Sequence, residues 1–576
     1  MSVDPRSAAH VLARIAAYLE LQGENRFKAR AYETASRALR GLPSDDLAGA
    51  LERGELAAVR GLGPATLAVV RDLVEHGESR YLEQLGQTTP EGLLDMLDVP
   101  GLTPPKIHAI HEALGIETLD ELEDAARDGR LAALPRYGKK TADRILHGIA
   151  LRRARGQQRL YYQALAEGER LRAMVEAHPD VVRAAIAGPL RRHCETVGNL
   201  DVVAACRRAP AEVAASFTRI GGVKSVSGAG SSVEILFVDG ITLRLHCTLE
   251  RDYGLALLAA TGVTEHVGSV VTRLIDRGYD LGGGGLEKGG MPMPTPDEAA
   301  VYSLADLQFV DPALRENHGE LAAAALRSLP SLVTDTDLRG VLHCHTVYSD
   351  GRATVAEMAQ GALARGWSYI GISDHSQAAF YAGGLSEEQL ATQIGEIDEL
   401  NATGPGIRIL KGIEADILAD GRLDYSPELL DRLDYVIGSI HARYSMDGPA
   451  MTKRVLRALD EPHLTILAHP TGRLLLSREP YGLDVEAMLE KAAALGVAVE
   501  LNADPHRLDL DWRYLLRARE LGVTVAIGPD AHSVNQLDYV FGGVGMARKG
   551  WLEPKHILNT RDVNAVLAFA RARRSA

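Results

Sequence analysis

The stretch VLHCHTVYSD, residues 341–350, decides how this chain reads. It starts as an apolar strand, ends in a turn, and carries His343, His345 and Asp350 at and just past the strand end. In an extended chain, residues i and i+2 leave the same face, so both rings can reach one cation while Cys344 between them points away. Further strand-like runs follow: SYIGISDH, IRILKGIEAD, YVIGSIHA, LTILAHP, AVELNAD and TVAIGPDAH. Helical segments such as TVAEMAQGALARG and VEAMLEKAAALG separate most of them. Near-continuous apolar strands alternating with helices predict a parallel sheet covered on its outside, here a seven-stranded barrel. Barrels gather functional groups at the C-terminal ends of their strands. Those ends carry His375, Glu414, His441, His469, Asp530 and His532, with Glu500 and Asn502 closing the sixth strand.

One histidine is more often a hydrogen-bonded core or surface group, but nine potential ligands at one end of consecutive strands point to a polynuclear metal centre. Imidazole with carboxylate and no thiolate suits manganese, zinc or iron. Cations held there activate water and neutralise phosphate oxygens as a P–O bond breaks, so the chemistry read is phosphate-ester hydrolysis. Arg473 follows His469 in AHPTGR and is placed to pair with a phosphate, a helix-surface role being the alternative.

At 576 residues the chain is too long for one core, and several domains are expected. Its net charge of -14 excludes a protein that is basic throughout, so any DNA contact must be regional. Cys194, Cys206, Cys247 and Cys344 form no CxxC, and MSVDPRSAAH lacks the apolar core of a signal peptide. A reduced, cytoplasmic, nucleoid-associated protein is expected. No apolar run is long enough for a membrane span, so no membrane partner is expected.

The first 155 or so residues read as short amphipathic helices. In RGLGPATLAVV, the turn around Gly61 and Gly63 exposes backbone N–H groups at a helix N-terminus, an anion site that suits a DNA phosphate; a plain tight turn is the alternative. VPGLTPPKIHAI, with Gly101 and Lys106, and LPRYGKKTADRIL, with Gly138, Lys139 and Lys140, repeat the pattern with Thr103 and Arg136 each replacing a glycine. From about Leu160 to Leu286, β-branched runs predict a mixed α/β unit, and Gly282–Pro296 reads as a mobile loop hinging two subdomains.

The segments HCH, SDHS, GIEADIL, SIHARY, AHPTGRLL and PDAHS resemble the polymerase-and-histidinol-phosphatase (PHP) domain that ends bacterial family X DNA polymerases. The resemblance implies a distorted barrel in which His343, His345, Asp350, His375, Glu414, His441, His469, Asp530 and His532 ligate up to three metal ions, commonly manganese. It implies a 3′-5′ exonuclease and 3′-end phosphoesterase on gapped or nicked DNA, in repair such as base excision repair. NRFKARAYETASRAL resembles the family's small N-terminal domain, with Lys28, Arg30 and Arg37 facing the 5′ side of a gap; the lyase lysine position holds Val69, which cannot form an imine.

AGPLRRHCETVGNLDVVAA resembles the family's palm motif, where a serine and two aspartates are replaced in part: Pro189 and Asn199 stand in for the serine and the first aspartate, and Asp201 remains. Thr242 stands at the third aspartate, and Ala260 and Val263 replace an aromatic residue and a serine. An amide ligates Mg²⁺ poorly, so the palm fold is expected to persist with impaired chemistry, Mg²⁺ binding at a residual Asp201 site and dNTP use left open. Arg191 and Arg192 are candidates for phosphate contact.

The implied organisation is an all-α helix-hairpin-helix region (a helical DNA-binding domain at 1–85 and fingers at 86–155), a nucleotidyltransferase-like α/β palm at 156–262 and a thumb at 263–325. A linker at 326–338 leads to the PHP domain at 339–576. Two alternatives stay open: a manganese-dependent gap-filling polymerase, and a small-molecule phosphatase of histidinol-phosphate type, which has no use for the N-terminal hairpins.

Overall fold

In the computed structural model, residues 4–42, 46–156, 158–282 and 285–574 are described. The chain divides into two compact units. The first comprises Met1–Arg159, Gly168–Ile186 and Gly198–Tyr253; the second comprises Leu160–Glu167, Ala187–Val197 and Gly254–Ala576. Among the described residues, no helix is long and apolar enough to cross a membrane.

The first unit opens with two paired helices, Pro5–Leu21 and Arg26–Arg40. Asp4 and Asn25 cap them by accepting from free backbone N–H groups of the first turn. Their apolar faces place Leu12, Ile15, Leu19 and Leu39 in one core with Val70, and a second core gathers Met96, Ile107, Ile110, Leu122 and Ile145. Each fully buried aliphatic side chain contributes about 1.5–3 kcal/mol, which lets these short helices hold.

The three hairpin turns share one backbone device. Gly61 and Gly101 adopt left-handed conformations (φ 105° and 90°), and Arg136 takes the same conformation (φ 73°) where a glycine would sit. The helices Pro64–His76, Pro104–Leu114 and Gly138–Arg155 begin directly after the turns.

A five-stranded sheet completes this unit, in the order Val181–Ile186, Leu200–Cys206, Thr242–Leu249, Ser232–Phe237, Val223–Ala229. Leu200–Cys206 is buried along its whole length and runs parallel to Thr242–Leu249 and antiparallel to Val181–Ile186.

In the second unit, the Gly- and Pro-rich segment expected to be a mobile loop forms strands over its described residues, Gly283 and Gly284 lying outside them. Asp280–Gly282, Gly285–Lys288 and Met291–Met293 form a small antiparallel sheet, because Gly289 and Gly290, both at positive φ, close a tight turn between the last two strands.

The helices Thr264–Asp276, Glu298–Leu304 and Glu320–Ala325 flank that sheet in the sequence, and the barrel follows. Gly340–Cys344, Tyr369–Ile372 and Arg408–Lys411 form one parallel sheet; Glu414–Asp416, Ile437–Ser439, Ile466–Leu467, Ala498–Asn502 and Val525–Gly528 form another. Single parallel bridges, Cys344 to Ala531 and His375 to Glu414, join them. The interior holds Leu342, Tyr369, Leu410, Tyr435, Ile466, Ala498 and Ala526, plugged at one end by Val566 and Ala570 of the helix Val563–Arg574. Tyr435 fits because Gly371 and Gly412 oppose it; a Cβ at either would lie 2.4 Å from the tyrosine. Outside the strands, Val341, Cys344, Ile372, Val436, Leu467, Val499 and Ile527 pack under the helices.

Candidate metal centre

The ligand positions sit where each strand ends and the chain breaks its regular alternation. Val341 packs outward and Leu342 inward, so an unbroken strand would turn His343 outward and Cys344 inward. Instead the pairing slips between Val341 and Cys344, and His343 adopts φ 67°. This bulge keeps Cys344 outside, fully buried, while His343 and His345 both join the cluster at the barrel mouth with ring centroids 5.3 Å apart. The same-face expectation for the two histidines is met by a bulge rather than by an extended strand. His469 (φ 25°) and Asp530 (φ 50°) are also non-glycine residues at positive φ. Such strain, of order 1–3 kcal/mol each, persists only where surroundings fix it and clusters at functional sites.

All nine expected ligands come together, and Glu414 is the hub. Its carboxylate lies 3.4 Å from His343 Nε2, 3.6 Å from His345 Nε2 and 2.8 Å from His375 Nδ1. His441 Nε2 at 3.2 Å and His469 Nε2 at 3.1 Å complete the ring around it. Asp530 reaches His345 Nε2 (3.3 Å) and His343 Nε2 (3.5 Å), and Asp350 reaches His532 Nε2 (3.2 Å) and His375 Nε2 (3.6 Å). Among the described residues, four sets of donor atoms lie within 4.8 Å of one another: His345, Asp350, His375 and His532; His343, His469 and Asp530; His343, His345 and Glu414; and His375, Glu414 and His441.

The donor chemistry fits cations. Burial would drive Glu414 towards its neutral form, but the imidazoles of His441, His375 and His343 outweigh it and hold the carboxyl well below the usual range. Asp530 is held down in the same way by His343 and His345. Burial, reinforced by His375, pushes His345 down to about 4, so its ring is neutral, and neither of its buried nitrogens has a hydrogen-bond partner. His343 Nε2, His469 Nδ1 and Glu414 Oε2 are likewise buried without a hydrogen-bond partner. Unpaired lone pairs at such depth cost free energy unless a cation accepts them.

A supporting layer orients these donors. His343 Nδ1 meets Glu500 Oε1 at 2.5 Å, and the other Glu500 oxygen accepts from the His469 backbone N–H at 2.8 Å. His441 Nδ1 lies 2.7 Å from Asp416, and against the opposing effect of burial Glu414 and Asp416 push this ring up to about 10. Asn502 donates to both Glu500 and Asp530 at 3.1 Å. Asp374, fully buried, accepts from Thr346 N (2.7 Å), Thr346 Oγ1 (2.7 Å), Ser349 Oγ (2.5 Å) and Gln393 Nε2 (2.6 Å), so one carboxylate sets the loop that presents Asp350.

Asp374 and Asp416 went unread as site residues in the sequence, for their roles depend on loop closures that no periodicity encodes. Asp374→Asn places an amide against these donors; it is expected to cost about 1–3 kcal/mol of stability and to weaken manganese binding by roughly 10–100-fold, measured by thermal unfolding and metal titration.

Arg473, expected to meet a phosphate, does not reach the mouth. Its buried guanidinium donates to Asp511 and to the carbonyls of Arg507 (2.9 Å) and Leu508, engagements that leave it no free face. Arg507, by contrast, lies beside a carboxylate of the cluster. Its Nε lies 3.6 Å from Asp530, and it lines a cavity of about 320 Å³ with Ser477, Asp504, His506, Asp530 and His532.

Arg191 and Arg192 also differ from expectation. Arg191 pairs with Glu298 (2.6 Å) and Arg192 with Glu316 (2.8 Å), and both reach Thr261, so internal carboxylates neutralise them. Lys106 turns its ammonium onto the Gly101 carbonyl at 2.8 Å, whereas Lys139 and Lys140 are exposed beside Gly138. Val69 is buried in the helical core. Asp201 is buried, with His246 Nε2 3.8 Å away.

Comparison with known families gives three matches: a PHP domain over residues 342–504, a helix-hairpin-helix domain over 6–79, and a SAM-like helix-hairpin-helix tandem over 93–150. A protein of Bacillus subtilis (strain 168) named DNA polymerase/3′-5′ exonuclease PolX is 34% identical over 568 residues, covering 97% of this chain and 98% of that protein. The chain belongs to the PolX family, the bacterial family X polymerases with a C-terminal PHP domain. The expected layout of helical hairpin region, mixed α/β middle and C-terminal barrel is therefore that of a PolX-family protein. Other relatives match a smaller part of the chain: a protein of Caldanaerobacter subterraneus subsp. tengcongensis, named a probable phosphatase, is 32% identical over 213 residues, 35% of this chain and 76% of its own length. Another of that name, from Syntrophotalea carbinolica, is 32% identical over 244 residues, 40% of this chain and 94% of its own.

Proposed function

We propose that the barrel of this PolX-family protein trims DNA 3′ ends by metal-dependent phosphodiester hydrolysis, and that the palm holds DNA with little capacity for synthesis. The observation that carries the first part is the ring of five imidazoles around the buried Glu414, with Asp530 and Asp350 completing the donor sets. Histidine with carboxylate suits manganese, zinc or iron alike, manganese being the ion the resemblance to the family implies, and up to three ions are proposed for the overlapping sets. When bound, such ions activate water and neutralise the phosphate oxygens.

The chain's own residues do the rest. Glu500, Asp416 and Asp374 fix the tautomers and loops that present the donors, and Arg507 faces the cavity where it can hold a phosphate oxygen.

DNA as the substrate is supported by the helix-hairpin-helix matches, by the left-handed turns at Gly61, Gly101 and Arg136, and by the exposed Lys139 and Lys140. The Bacillus relative is named a polymerase as well as an exonuclease, which favours a gap-filling polymerase as the second reading. Against it stands the chemistry of the palm, where Asn199 and Thr242 replace carboxylates and, among the described residues, every metal-ligand set lies in the barrel. The proposed setting is the cytoplasm, on gapped or nicked nucleoid DNA.

The test is manganese-supported digestion of 3′-labelled gapped DNA, with release of mononucleotides from the 3′ end expected. Lys139→Ala with Lys140→Ala is expected to weaken DNA binding and lower its log–log salt slope by roughly two. Absence of shortening, with hydrolysis confined to small phosphate monoesters, would return the barrel to the phosphatase reading.

A further inference from the structure

Beside the metal centre the surface carries two exposed aromatic rings that no part of the ligand cluster explains. Phe380 is 85% exposed and Tyr381 61% exposed, on the short 3-10 turn Phe380–Ala382. A lone exposed aromatic is ordinary. These two are adjacent, 6.2 Å apart edge to face, and the Tyr381 ring lies 6.4 Å from the ring of His375 and 6.2 Å from that of His441. The aromatic surface is thus continuous with the metal-ligating imidazoles.

The turn that presents them is pinned from below. Ala379 is fully buried and Ala382 nearly so. Ala378 N–H donates to Asp424 at 2.7 Å, Leu385 N–H donates to the His375 carbonyl at 2.9 Å, and Gly384 N–H donates to the Ala379 carbonyl at 3.1 Å. A Cβ on Gly384 would lie 1.9 Å from the Ser376 carbonyl oxygen, so this backbone has one close-packed arrangement. The small side chains anchor the loop, and the two large apolar ones face solvent. Folding does not explain that distribution, because burying either ring would be worth about as much as burying a leucine.

We propose that Phe380 and Tyr381 form the stacking platform for the unpaired 3′-terminal base of the strand whose phosphodiester enters the metal centre. The inference rests on the reading that the barrel cleaves DNA. Every base has a π face, so stacking on aromatic rings is tolerant of sequence, as an end-trimming site requires. Because the two rings stand nearly perpendicular, a base lies flat on one while the other meets its edge, an enclosure that a base freed from its partner enters more readily, so the platform favours frayed, mismatched or single-stranded ends over paired ones. Charge completes the fit: the backbone of the bound strand passes cationic groups, with Arg507 at the cavity and the exposed Arg443 in the loop after His441. Both rings are neutral, and burial beside Asp416 and Glu414 pushes the Tyr381 hydroxyl above its ordinary range.

The experiment uses the full-length protein with manganese and an oligonucleotide carrying 2-aminopurine at its 3′ terminus, the last linkage being a slowly cleaved phosphorothioate. Stacking quenches the fluorophore; the wild-type protein is expected to quench it, and Phe380→Ala with Tyr381→Ala to abolish the quench. In that double variant the ratio of kcat/KM on a single-stranded oligonucleotide to that on bis(p-nitrophenyl) phosphate is expected to fall roughly tenfold. Phe380→Trp and Tyr381→Phe, which keep the rings, are expected to retain both signals. A quench that survives the double alanine change, or a ratio that does not move, overturns the platform. Loss of the ratio in Tyr381→Phe assigns the effect to the hydroxyl and overturns stacking at that residue. A wild-type protein that hydrolyses the aryl ester but no oligonucleotide sinks the DNA reading itself.

Discussion

Glu414→Gln is expected to lower 3′ trimming by at least about 10³-fold, the several kcal/mol that correctly held cations supply to phosphoryl transfer. Glutamine preserves volume and one oxygen, so the barrel should fold; what it lacks is the charge that faces His343, His345, His375, His441 and His469 at 2.8–3.6 Å. An amide also turns an N–H₂ towards imidazole nitrogens that have to remain lone-pair donors, and it can bridge two cations through only one atom. All four donor sets contain this side chain or border on it: two include Glu414 itself, the set of His345, Asp350, His375 and His532 holds two histidines that face it, and so does the set of His343, His469 and Asp530. The change should therefore empty more than one metal position. Bound manganese measured by atomic absorption should fall together with the trimming rate while helical circular dichroism is retained. Full manganese loading with full activity would remove Glu414 from the centre, and with it the geometry on which the proposed function stands.

The site was legible in the sequence because strand ends are legible: apolar runs stop where the chain reaches the barrel mouth, and each stop carries a His, Asp or Glu. Periodicity could not supply the backbone that makes them converge. With Leu342 filling the interior, regular alternation would send His343 and His345 outward, and only the slip at His343 reverses this. Nor could spacing show that Arg473 is already engaged or bring Arg507 into view. Arg473 follows a ligand histidine and was read as a phosphate group, but Asp511 and two carbonyls claim it, a contact set by chain folding 34 to 38 residues away. Arg191 and Arg192 illustrate the same limit, since Glu298 and Glu316 lie more than 100 residues on. The described part of the glycine-rich segment at 282–296 was misread for the opposite reason: composition signalled a loop, whereas Gly289 and Gly290 close the turn of a small antiparallel sheet.

The palm yields the other large effect. In a Glu414→Gln background, where trimming no longer erases products, Asn199→Asp with Thr242→Asp is expected to raise dNTP-dependent extension of a gapped primer by at least roughly tenfold, the gain vanishing when Asp201→Ala is added. The register explains why. Leu200 pairs with Leu243 and Asp201 with Arg244 in the parallel ladder, so Asp201 shares a sheet face with Arg244 and, two residues on, His246. Asn199, with its amide oriented oxygen-first, accepts from Arg244 at 2.7 Å, and Arg244 is held by Glu234 at 2.7 Å. The face that would have to bind two divalent cations thus presents Asp201 beside an imidazole and a guanidinium that is already paired with Glu234, leaving a single unpaired carboxylate where two-cation binding calls for several. Aspartates at 199 and 242 restore two negative charges and give Arg244 an ionic partner in place of an amide. Extension by the parent protein as fast as by the reinstated triad would show that the palm needs neither carboxylate, and this chain would then be a polymerase that trims rather than a trimming enzyme built on a polymerase frame.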